Sequence, residues 1–535
     1  MPHSVRVDED LDQLLSASDA LHPYSDEEVV ISLATIRDKL ASAEKAHSHL
    51  EKQSEDVGDW KSVLPWTAQT LERDMAMIDT EVPKLSLIAK EKNVTYQARR
   101  IELFTKLICQ YPASRDNILR EAATDVPPLL RGRIWAAILD VKGDPELFYD
   151  SIDKDSENPN DRQLDLDIPR CHQYNELLSS HIGHRKLKRV LKAWLTAEEN
   201  KLVYWQGLDS LCAPFITLNF NNEALAFSSM RAFLKKYSAS FFVADNSVIM
   251  QEYMVAFRHI LAFHDPELAV HMEEIGLGPE LFALPWFMTL YGHIFPLDKI
   301  YHLWDSFLTG PPFLHLHTGC AILHQLRDQL IHRDFNTGMS LFSDLSAIDV
   351  DACIAHAIRT SKLTPPSLLD HLYFANAGVT SKDVDSTPAD QRKHVRPLCL
   401  ASSSPGTSIL KRYQELVGFI NREDFREMKG ISAVIDARSA EEFQKGHVPF
   451  SINLANPIKS VPMAVKIAAS RTKFVVVLAN DRPRAMQIAS VLMKGKIPRT
   501  TASVISSEDI EAVETFLCDC NPSHSTSGLA RCNNI

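Results

Sequence analysis

Apolar residues recur every three or four positions over long stretches between residues 96 and 365. One stretch, RIELFTKLICQY, begins at Arg100, and another covers residues 281–290 and continues through Ile300, Leu303 and Phe307. Strand-like alternation is rare here, and Gly and Pro fall mostly between the periodic stretches. This spacing is typical of helices, so it predicts an all-helical domain over residues 96–365.

A different pattern begins after residue 408. Short runs rich in β-branched residues at 431–435 and 474–478 alternate with a helical pattern at 485–493. This βαβα order predicts a small α/β domain with a mostly parallel sheet over residues 409–518. Residues 366–408 lack periodicity and contain breaker-rich stretches such as SSSPG at 402–406, which indicates a linker. Residues 1–95 are predicted to form a polar, partly helical flank, and residues 519–535 a tail.

Size and composition exclude several classes of protein. A chain of 535 residues favours two or three domains. A net charge of −12 argues against a nucleic-acid binder, and nine dispersed cysteines do not form a secreted disulfide scaffold. No apolar run could span a bilayer or serve as a signal peptide. We therefore expect a cytoplasmic protein, which partners could recruit to membranes or the cytoskeleton.

Six short motifs follow one another in the predicted helical domain. They are DVPPLLR at 125–131 before Trp135, LDLDIPR at 164–170, YWQG at 204–207, PWF at 285–287, FP at 295–296 and LWD at 303–305. In this order they resemble the TBC domain of Rab GTPase-activating proteins, with its R-x-x-x-W, I-x-x-D-x-x-R, Y-x-Q-G and L-W-D elements. Each motif alone is weak, but the ordered set is specific.

The resemblance assigns chemistry to two polar residues. GTP hydrolysis moves charge onto phosphate oxygens in the transition state, so a catalyst neutralises that charge and orients a water molecule. Arg170 would supply the charge and Gln206 would hold the water, because these side chains suit those tasks. The family supplies both in trans to a Rab GTPase. GTP and Mg belong to that GTPase, and we expect no cofactor in this chain.

Neighbouring residues are expected to support this pair. Pro169 should keep Ile168 out of the α region and place Arg170 in a first helical turn. Asp167, three residues before Arg170, is expected to orient or cap it, and Gly207 allows a tight turn beside Gln206.

Other motif residues have structural interpretations. Tyr204 and Trp205 either support the site or only pack, and Arg131 is interpreted as the buried partner of a carboxylate such as Asp305. Three tryptophans are expected in the core because of their large apolar area: Trp135, Trp286 and Trp304.

Three positions depart from the TBC pattern. Leu164 stands where Ile is usual, Cys171 where Thr is common, and Asp209 where Asn is frequent. Asp209 would add negative charge near a phosphate site. Two functions are therefore carried forward: an active Rab GTPase activator, and a scaffold that binds a Rab and other proteins in membrane trafficking or growth signalling.

The α/β region carries a second resemblance. Residues 436–453 read DARSAEEFQKGHVPFSIN, which resembles the rhodanese pattern D-x-R-x-x-x-E-[FY]-x-x-G-H-[IV]-P-x-[AS]-x-N. Active rhodaneses place a nucleophilic Cys after the next strand, in a loop that lowers the thiol pKa. Here that loop, at 479–484, reads ANDRPR, and Ala479 takes the cysteine position. We predict an inactive module whose Arg482 and Arg484 either bind an anion or are solvated.

Two further patterns are interpreted as decoys. HRD at 332–334 spells a kinase triplet, but Met339 replaces the required Asn, so a helix end is expected. The spacing of Cys518, Cys520, His524 and Cys532 fits no common zinc site, and we expect a mobile tail without metal. A TBC domain followed by a degenerate rhodanese domain resembles a group of TBC proteins that also carry a kinase-like part. We expect that part to be missing here.

Overall fold

The computed structural model describes residues 85–198, 202–238, 241–369, 372, 413–455, 460–504, 523–524 and 530–531. The interpretations of residues 1–84, and those of most of the linker, lie outside this set. The chain divides into two compact units, Met1–Asn200 with Leu208–Phe233, and Lys201–Gly207 with Leu234–Ile535.

The first unit is helical. Its helices are α1 Leu87–Lys92, α2 Val94–Cys109, α3 Arg115–Ala122, α4 Arg131–Ile138, α5 Pro145–Asp150, α6 Asp161–Asp167, α7 Glu176–Ser179, α8 His181–Ala197, α9 Leu208–Leu218 and most of α10 Glu223–Tyr237. Asn93 caps α2 by accepting a hydrogen bond from the Tyr96 N–H at 3.0 Å, so this helix begins before the periodic run at Arg100. In the core of this unit, Trp135 packs edge-on against Phe215 with ring centroids 5.7 Å apart.

The second unit begins with a further set of helices: α11 Ser247–His264, α12 Pro266–Glu274, α13 Leu284–Met288, α14 Leu297–Thr309, α15 Leu314–Gln325, α16 Arg327–Leu330, α17 Phe335–Leu341 and α18 Val350–Ser361. The apolar run at 281–290 is not one helix. Leu290 and Tyr291 take left-handed φ values of 45° and 68°, and the Trp304 indole N–H donates to the Leu290 carbonyl at 2.8 Å. The buried indole thus satisfies a carbonyl that has left the helix where the chain turns.

A six-stranded sheet follows in the same unit, in the order β4-β3-β1-β2-β6-β5. Its strands are β1 Ser432–Asp436, β2 Ile452–Asn453, β3 Phe474–Ala479, β4 Thr500–Val504, β5 Ser523–His524 and β6 Ala530–Arg531, and its helices are α19 Arg422–Met428, α20 Ala440–Lys445, α21 Met463–Arg471 and α22 Arg482–Lys494. The first four strands are parallel, and β6 joins β2 in antiparallel fashion. The predicted fold class, an all-helical domain followed by a small α/β domain, is confirmed.

The C-terminal segment differs from the tail that the sequence predicted. Two of its short pieces, β5 and β6, extend the sheet at β2. An edge strand presents unpaired N–H and C=O groups, so β2 offers a template for pairing. Pieces of two residues are too short to give an alternating pattern in the sequence.

Within the second unit, helical residues and the sheet share one apolar core. Phe263 and Leu368 pack in the same cluster as Val434, Phe474 and Val476. The Arg499 N–H donates to the Phe263 carbonyl at 2.6 Å. None of the helices that the structure describes is both long and apolar enough to cross a membrane.

Two buried histidines on α15 make the second unit sensitive to acid. His315 and His317 are 2% and 1% exposed, and burial lowers the pKa of each to about 3. His315 stacks on Tyr253 at 5.7 Å as a neutral ring. The unfolded chain would bind protons at these imidazoles below about pH 6.5, whereas the folded chain would not.

We therefore expect full stability above pH 6.5 and a loss as the pH falls toward 3. Each histidine should contribute about 1.4 kcal/mol of destabilisation per pH unit in that window. Urea unfolding between pH 7 and pH 4.5, with His317→Gln beside the natural sequence, measures the effect. The variant should show a pH slope smaller by about one proton, and an unchanged slope would contradict the prediction.

Candidate functional site

Arg170 ends a short 3₁₀ helix, Ile168–Arg170, that follows α6 directly. Ile168 has φ −53° and ψ −45°, so the prediction that Pro169 would keep it out of the α region is wrong. The Ile168 N–H donates to the Leu164 carbonyl, and this bond continues α6 into the tighter turn. Arg170 therefore lies in the single turn of this 3₁₀ helix, at its end.

The Arg170 side chain is exposed but held. Its side chain is 66% exposed, whereas that of Asp167 is 3% exposed. Arg170 Nη2 donates to Asp167 Oδ1 at 2.7 Å, and Nε donates to the Leu166 carbonyl at 2.9 Å. Asp167 Oδ2 in turn accepts from Gln163 Nε2 at 2.9 Å. A buried, fixed carboxylate thus orients a guanidinium that remains open to solvent.

Sequence reasoning missed Gln163. The available signal was its spacing, because residues four apart on a helix are neighbours and Gln163 precedes Asp167 by four.

Gln206 lies in the second unit, on an exposed turn. The Val203 N–H donates to the Phe242 carbonyl at 2.7 Å, and Trp205 Nε1 donates to the Val243 carbonyl at 3.0 Å. Between these anchors Tyr204 is half-buried. The segment that carries Gln206 is therefore fixed by its neighbours.

Gly207 is required by this turn. Its φ is +103°, and an added Cβ would lie 2.6 Å from Thr289 Cγ2. Both the backbone conformation and the available space therefore exclude larger residues, as the sequence predicts.

The two unusual residues near the arginine belong together. Cys171 and Asp209 are 4% and 6% exposed. Burial and the adjacent Asp209 carboxylate, which the thiol hydrogen-bonds, raise the pKa of Cys171 well above its usual range. Asp209 also lies in the first turn of α9, where a helix favours negative charge. The carboxylate is thus a buried, engaged group inside the first unit.

Thiol chemistry should reflect this burial. We expect Cys109, which is exposed, to react with iodoacetamide at neutral pH. Cys171 and Cys212 should stay unmodified, because burial raises their pKa and blocks access. Labelling under native conditions followed by peptide mapping by mass spectrometry gives the labelled fraction of each cysteine. A urea-unfolded sample is the control in which all three react. Equal labelling in the native protein would contradict the assignment.

Arg131 is a buried partner of a carboxylate. It is 3% exposed on α4, and its Nη2 lies 2.7 Å from Glu91 Oε1 and donates to the Val126 carbonyl at 3.2 Å. Asp305 is 8% exposed on α14 in the second unit, so its pairing with Arg131 stays a prediction. The three motif tryptophans lie in the core, each no more than 1% exposed: Trp135, Trp286 and Trp304.

The loop after β3 is occupied by its own arginine. Ala479 ends β3, and Asp481 caps α22 by accepting from the Arg484 N–H at 2.8 Å. The Arg484 guanidinium donates to the Ala437 carbonyl at 3.3 Å, the Leu454 carbonyl at 3.2 Å and the Ala455 carbonyl. These carbonyls follow β1 and β2, so the guanidinium fills the carboxyl edge of the parallel sheet.

Arg482 is engaged as well. Its guanidinium lies 4.2 Å from the centre of the Phe419 ring, and burial lowers its pKa. Neither arginine is simply solvated, which differs from one of the two predicted interpretations. Sequence reasoning could not see the carbonyls and the ring that receive them.

The rhodanese-pattern residues are structural. Asp436 is fully buried and accepts from Arg438 Nε at 3.0 Å and from Nη2 at 2.6 Å. Arg438 Nη2 also donates to the Gly446 carbonyl at 2.9 Å, and Asn453 Nδ2 donates to the Asp436 carbonyl at 3.1 Å. The pattern therefore encodes the turn that connects β1 to α20.

The structure describes the HRD triplet but little of the C-terminal cysteine cluster. Asp334 of the HRD triplet caps α17 by accepting from the Thr337 N–H at 2.9 Å, so the triplet lies at a helix boundary. Most of the C-terminal cysteine cluster lies outside the described residues. Within the residues that are described, no group of three or more His, Cys, Asp or Glu side chains is arranged to hold a metal ion.

Comparison with known proteins agrees with the motifs. The Rab-GTPase-TBC domain matches residues 128–331, and the rhodanese-like domain matches residues 421–504. The chain therefore carries a TBC domain followed by a rhodanese-like domain.

The chain is similar to the TBC domain-containing protein kinase-like protein of Gallus gallus, with 39% identity over 506 residues, 89% of this chain and 55% of the relative. The Homo sapiens protein of that name is 40% identical over 450 residues, 78% of this chain and 50% of the relative. The chain thus spans about half the length of these curated relatives. Among solved structures, the Ypt/Rab-GAP domain of Gyp1p is 16% identical with a TM-score of 0.45, over 50% of this chain and 99% of that one.

Proposed function

We propose that this chain is a GTPase-activating protein for a Rab-family GTPase, with Arg170 and Gln206 acting in trans on bound GTP. The observation that carries the proposal is the state of Arg170. It is exposed at the end of a helix while the buried carboxylate of Asp167 fixes its direction. A pre-oriented cation needs little reorganisation when charge develops on the phosphate oxygens.

The hydrogen bonds of Arg170 leave capacity for a ligand. A guanidinium carries five N–H donors, and two hydrogen bonds, to Leu166 and Asp167, engage Nε and one end of the fork. The remaining donors can bind phosphate oxygens without breaking either contact. Lysine could not hold both contacts and still offer a planar fork.

Gln206 supplies the second part. Its exposed side chain stands on a turn whose neighbours are fixed by backbone carbonyls. An amide can donate to phosphate and accept from water at once, which is the task of a glutamine that positions the attacking water.

A panel of Rab GTPases loaded with GTP tests the proposal. Hydrolysis is measured with the natural chain, with Arg170→Ala and with Gln206→Ala. Acceleration of at least one Rab that both substitutions remove supports the proposal. Binding to a Rab, with no acceleration of hydrolysis by any Rab of the panel, would contradict the proposal.

Rab binding without acceleration would favour a scaffold role in vesicle trafficking. One observation supports this alternative. The rhodanese-like loop lacks a thiol, and the guanidinium of its Arg484 is bonded to the Ala437 and Leu454 carbonyls. This part of the chain is then a binding module for another protein. The buried pairing of Asp209 with Cys171 speaks for the active alternative, because it engages the carboxylate that would otherwise oppose a phosphate.

A further inference from the structure

A cavity of about 520 Å³ lies within the second unit. It is bounded by helices α11, α12, α15, α16 and α18 and by the turn that joins α22 to β4. Its charged and imidazole lining residues are Arg327, Arg359, Lys496, Arg499, Asp265, Glu267, His264, His324 and His356. Its volume is within the range of small-molecule sites, about 300–1,000 Å³.

The charges of the lining do not cancel. Four cations face two carboxylates, and both carboxylates are already used. Arg327 Nε lies 2.6 Å from Asp265, Arg327 Nη2 lies 2.7 Å from Glu267, and Lys496 pairs with Glu267 as well. Two positive charges therefore remain in excess at the cavity.

The two excess positive charges are those of Arg359 and Arg499. Within the described part of the chain, the Arg359 guanidinium has no hydrogen bond or ion pair, and the Arg499 guanidinium makes only a long 3.3 Å bond to the Lys473 carbonyl. Two guanidinium groups that line a cavity and are not paired with its carboxylates are suited to oxyanions, since each can donate two parallel hydrogen bonds.

Two of the lining histidines, His264 and His356, do not contribute this charge at neutral pH. Burial, followed by neighbouring positive groups, lowers the pKa of His264 to about 3 and that of His356 to about 4. Their rings are neutral hydrogen-bonding groups, and His264 Nε2 already lies 2.8 Å from Thr364 Oγ1.

The turn between α22 and β4 has an unusual backbone. Lys496 and Arg499 take left-handed φ values of 62° and 54°, a region that residues other than Gly, Asn and Asp seldom adopt. Lys496 occupies the position after the helix end where Gly is strongly preferred, with its N–H bonded to the Met493 carbonyl at 2.7 Å.

The Arg499 backbone is held by hydrogen bonds at both its N–H and its carbonyl group. Its N–H donates to the Phe263 carbonyl at 2.6 Å, and its carbonyl accepts from the Val475 N–H at 3.0 Å. Two of the cavity's four cations thus stand on rarely adopted backbone that surrounding contacts hold in place. Such positions concentrate at functional sites.

We propose that this cavity binds a small molecule with clustered phosphate groups, recognised by Arg359 and Arg499. The shared chemistry is a polyphosphorylated head, either as a soluble inositol polyphosphate or as the headgroup of a phosphoinositide lipid. Because helical residues and the rhodanese-like part both line the cavity, the bound anion would join them. This site is independent of the Rab-activating residues.

Isothermal titration of the full chain with inositol hexakisphosphate tests the proposal. The natural chain is compared with Arg359→Gln/Arg499→Gln and with Arg333→Gln/Arg426→Gln. The second pair removes the same charge from exposed positions that do not line the cavity. We expect the first pair to weaken binding by roughly tenfold or more, and the second pair to leave it near the natural value. Arg359→Gln alone serves if the double variant unfolds, because the Arg359 guanidinium makes no described hydrogen bond or ion pair that the substitution would remove.

Flotation with phosphatidylcholine vesicles, with and without phosphatidylinositol bisphosphate, separates the two sources. Flotation that needs the phosphoinositide and is lost in the Arg359/Arg499 variant assigns the lipid headgroup, and titration binding alone assigns the soluble form. No binding in either assay would overturn the proposal. Equal weakening by the two double variants would overturn it too, because it would indicate general surface charge.

Discussion

Arg170→Ala is expected to reduce the acceleration of Rab GTP hydrolysis by about 10³- to 10⁵-fold. That loss corresponds to roughly 4–7 kcal/mol of transition-state stabilisation. The reason is local, because Arg170 is the exposed cation that the buried Asp167 orients. Alanine removes the charge and the donors together, and water in the gap cannot replace a fixed positive charge.

The measurement is single-turnover hydrolysis at saturating chain, so that weaker binding does not mimic a lost catalytic group. Arg162→Ala is the matched control, because Arg162 lies on α6, is exposed and carries the same charge. It should keep the natural rate. Arg170→Lys should fall close to Arg170→Ala, since an ammonium cannot reproduce the fork. An Arg170→Lys variant with full activity would show that charge alone suffices and would contradict the proposed geometry.

Much of this arrangement was predictable from sequence. The helical period, the βαβα order and the two ordered motif sets predicted the fold class, because each depends on local spacing. Gly207 was predictable for the same reason, since a motif glycine implies a special backbone. These features lie in short stretches of chain.

Features that depend on distant partners were not predictable. The pairing of Cys171 with Asp209 joins residues 38 positions apart, so two separate departures from a family pattern turned out to be one buried contact. Arg484 reaches carbonyls about 30 and 47 residues away. Ile168 was predicted wrongly because a hydrogen bond from the preceding helix outweighed the usual effect of the following proline.

Asp436→Ala is expected to destabilise the rhodanese-like part by about 3–5 kcal/mol. Asp436 is fully buried and Arg438 is 4% exposed. The Arg438 guanidinium donates two hydrogen bonds to the Asp436 carboxylate, of 2.6 Å from Nη2 and 3.0 Å from Nε. Removing the carboxylate leaves a buried guanidinium whose described hydrogen bond is to the neutral Gly446 carbonyl, and that uncompensated charge dominates the cost.

Hydrogen exchange of the β3 amides, followed by mass spectrometry, measures the stability of the rhodanese-like part separately from the rest of the chain. This choice is needed because a chain with two compact units need not unfold in one step. Exchange should accelerate strongly in Asp436→Ala, whereas exposed Glu441→Ala should leave it unchanged.

The double variant Asp436→Leu/Arg438→Met decides the cause. If the cost comes from a stranded charge, the double variant should lose less stability than the two single variants summed, because no ion remains buried. Some cost should persist, since Asp436 also accepts from the Arg438 N–H at 3.0 Å and Arg438 serves the Gly446 carbonyl. Simple additivity would mean that the pair acts as two separate hydrogen-bonding groups, and the rhodanese pattern would then encode packing and not an ion pair.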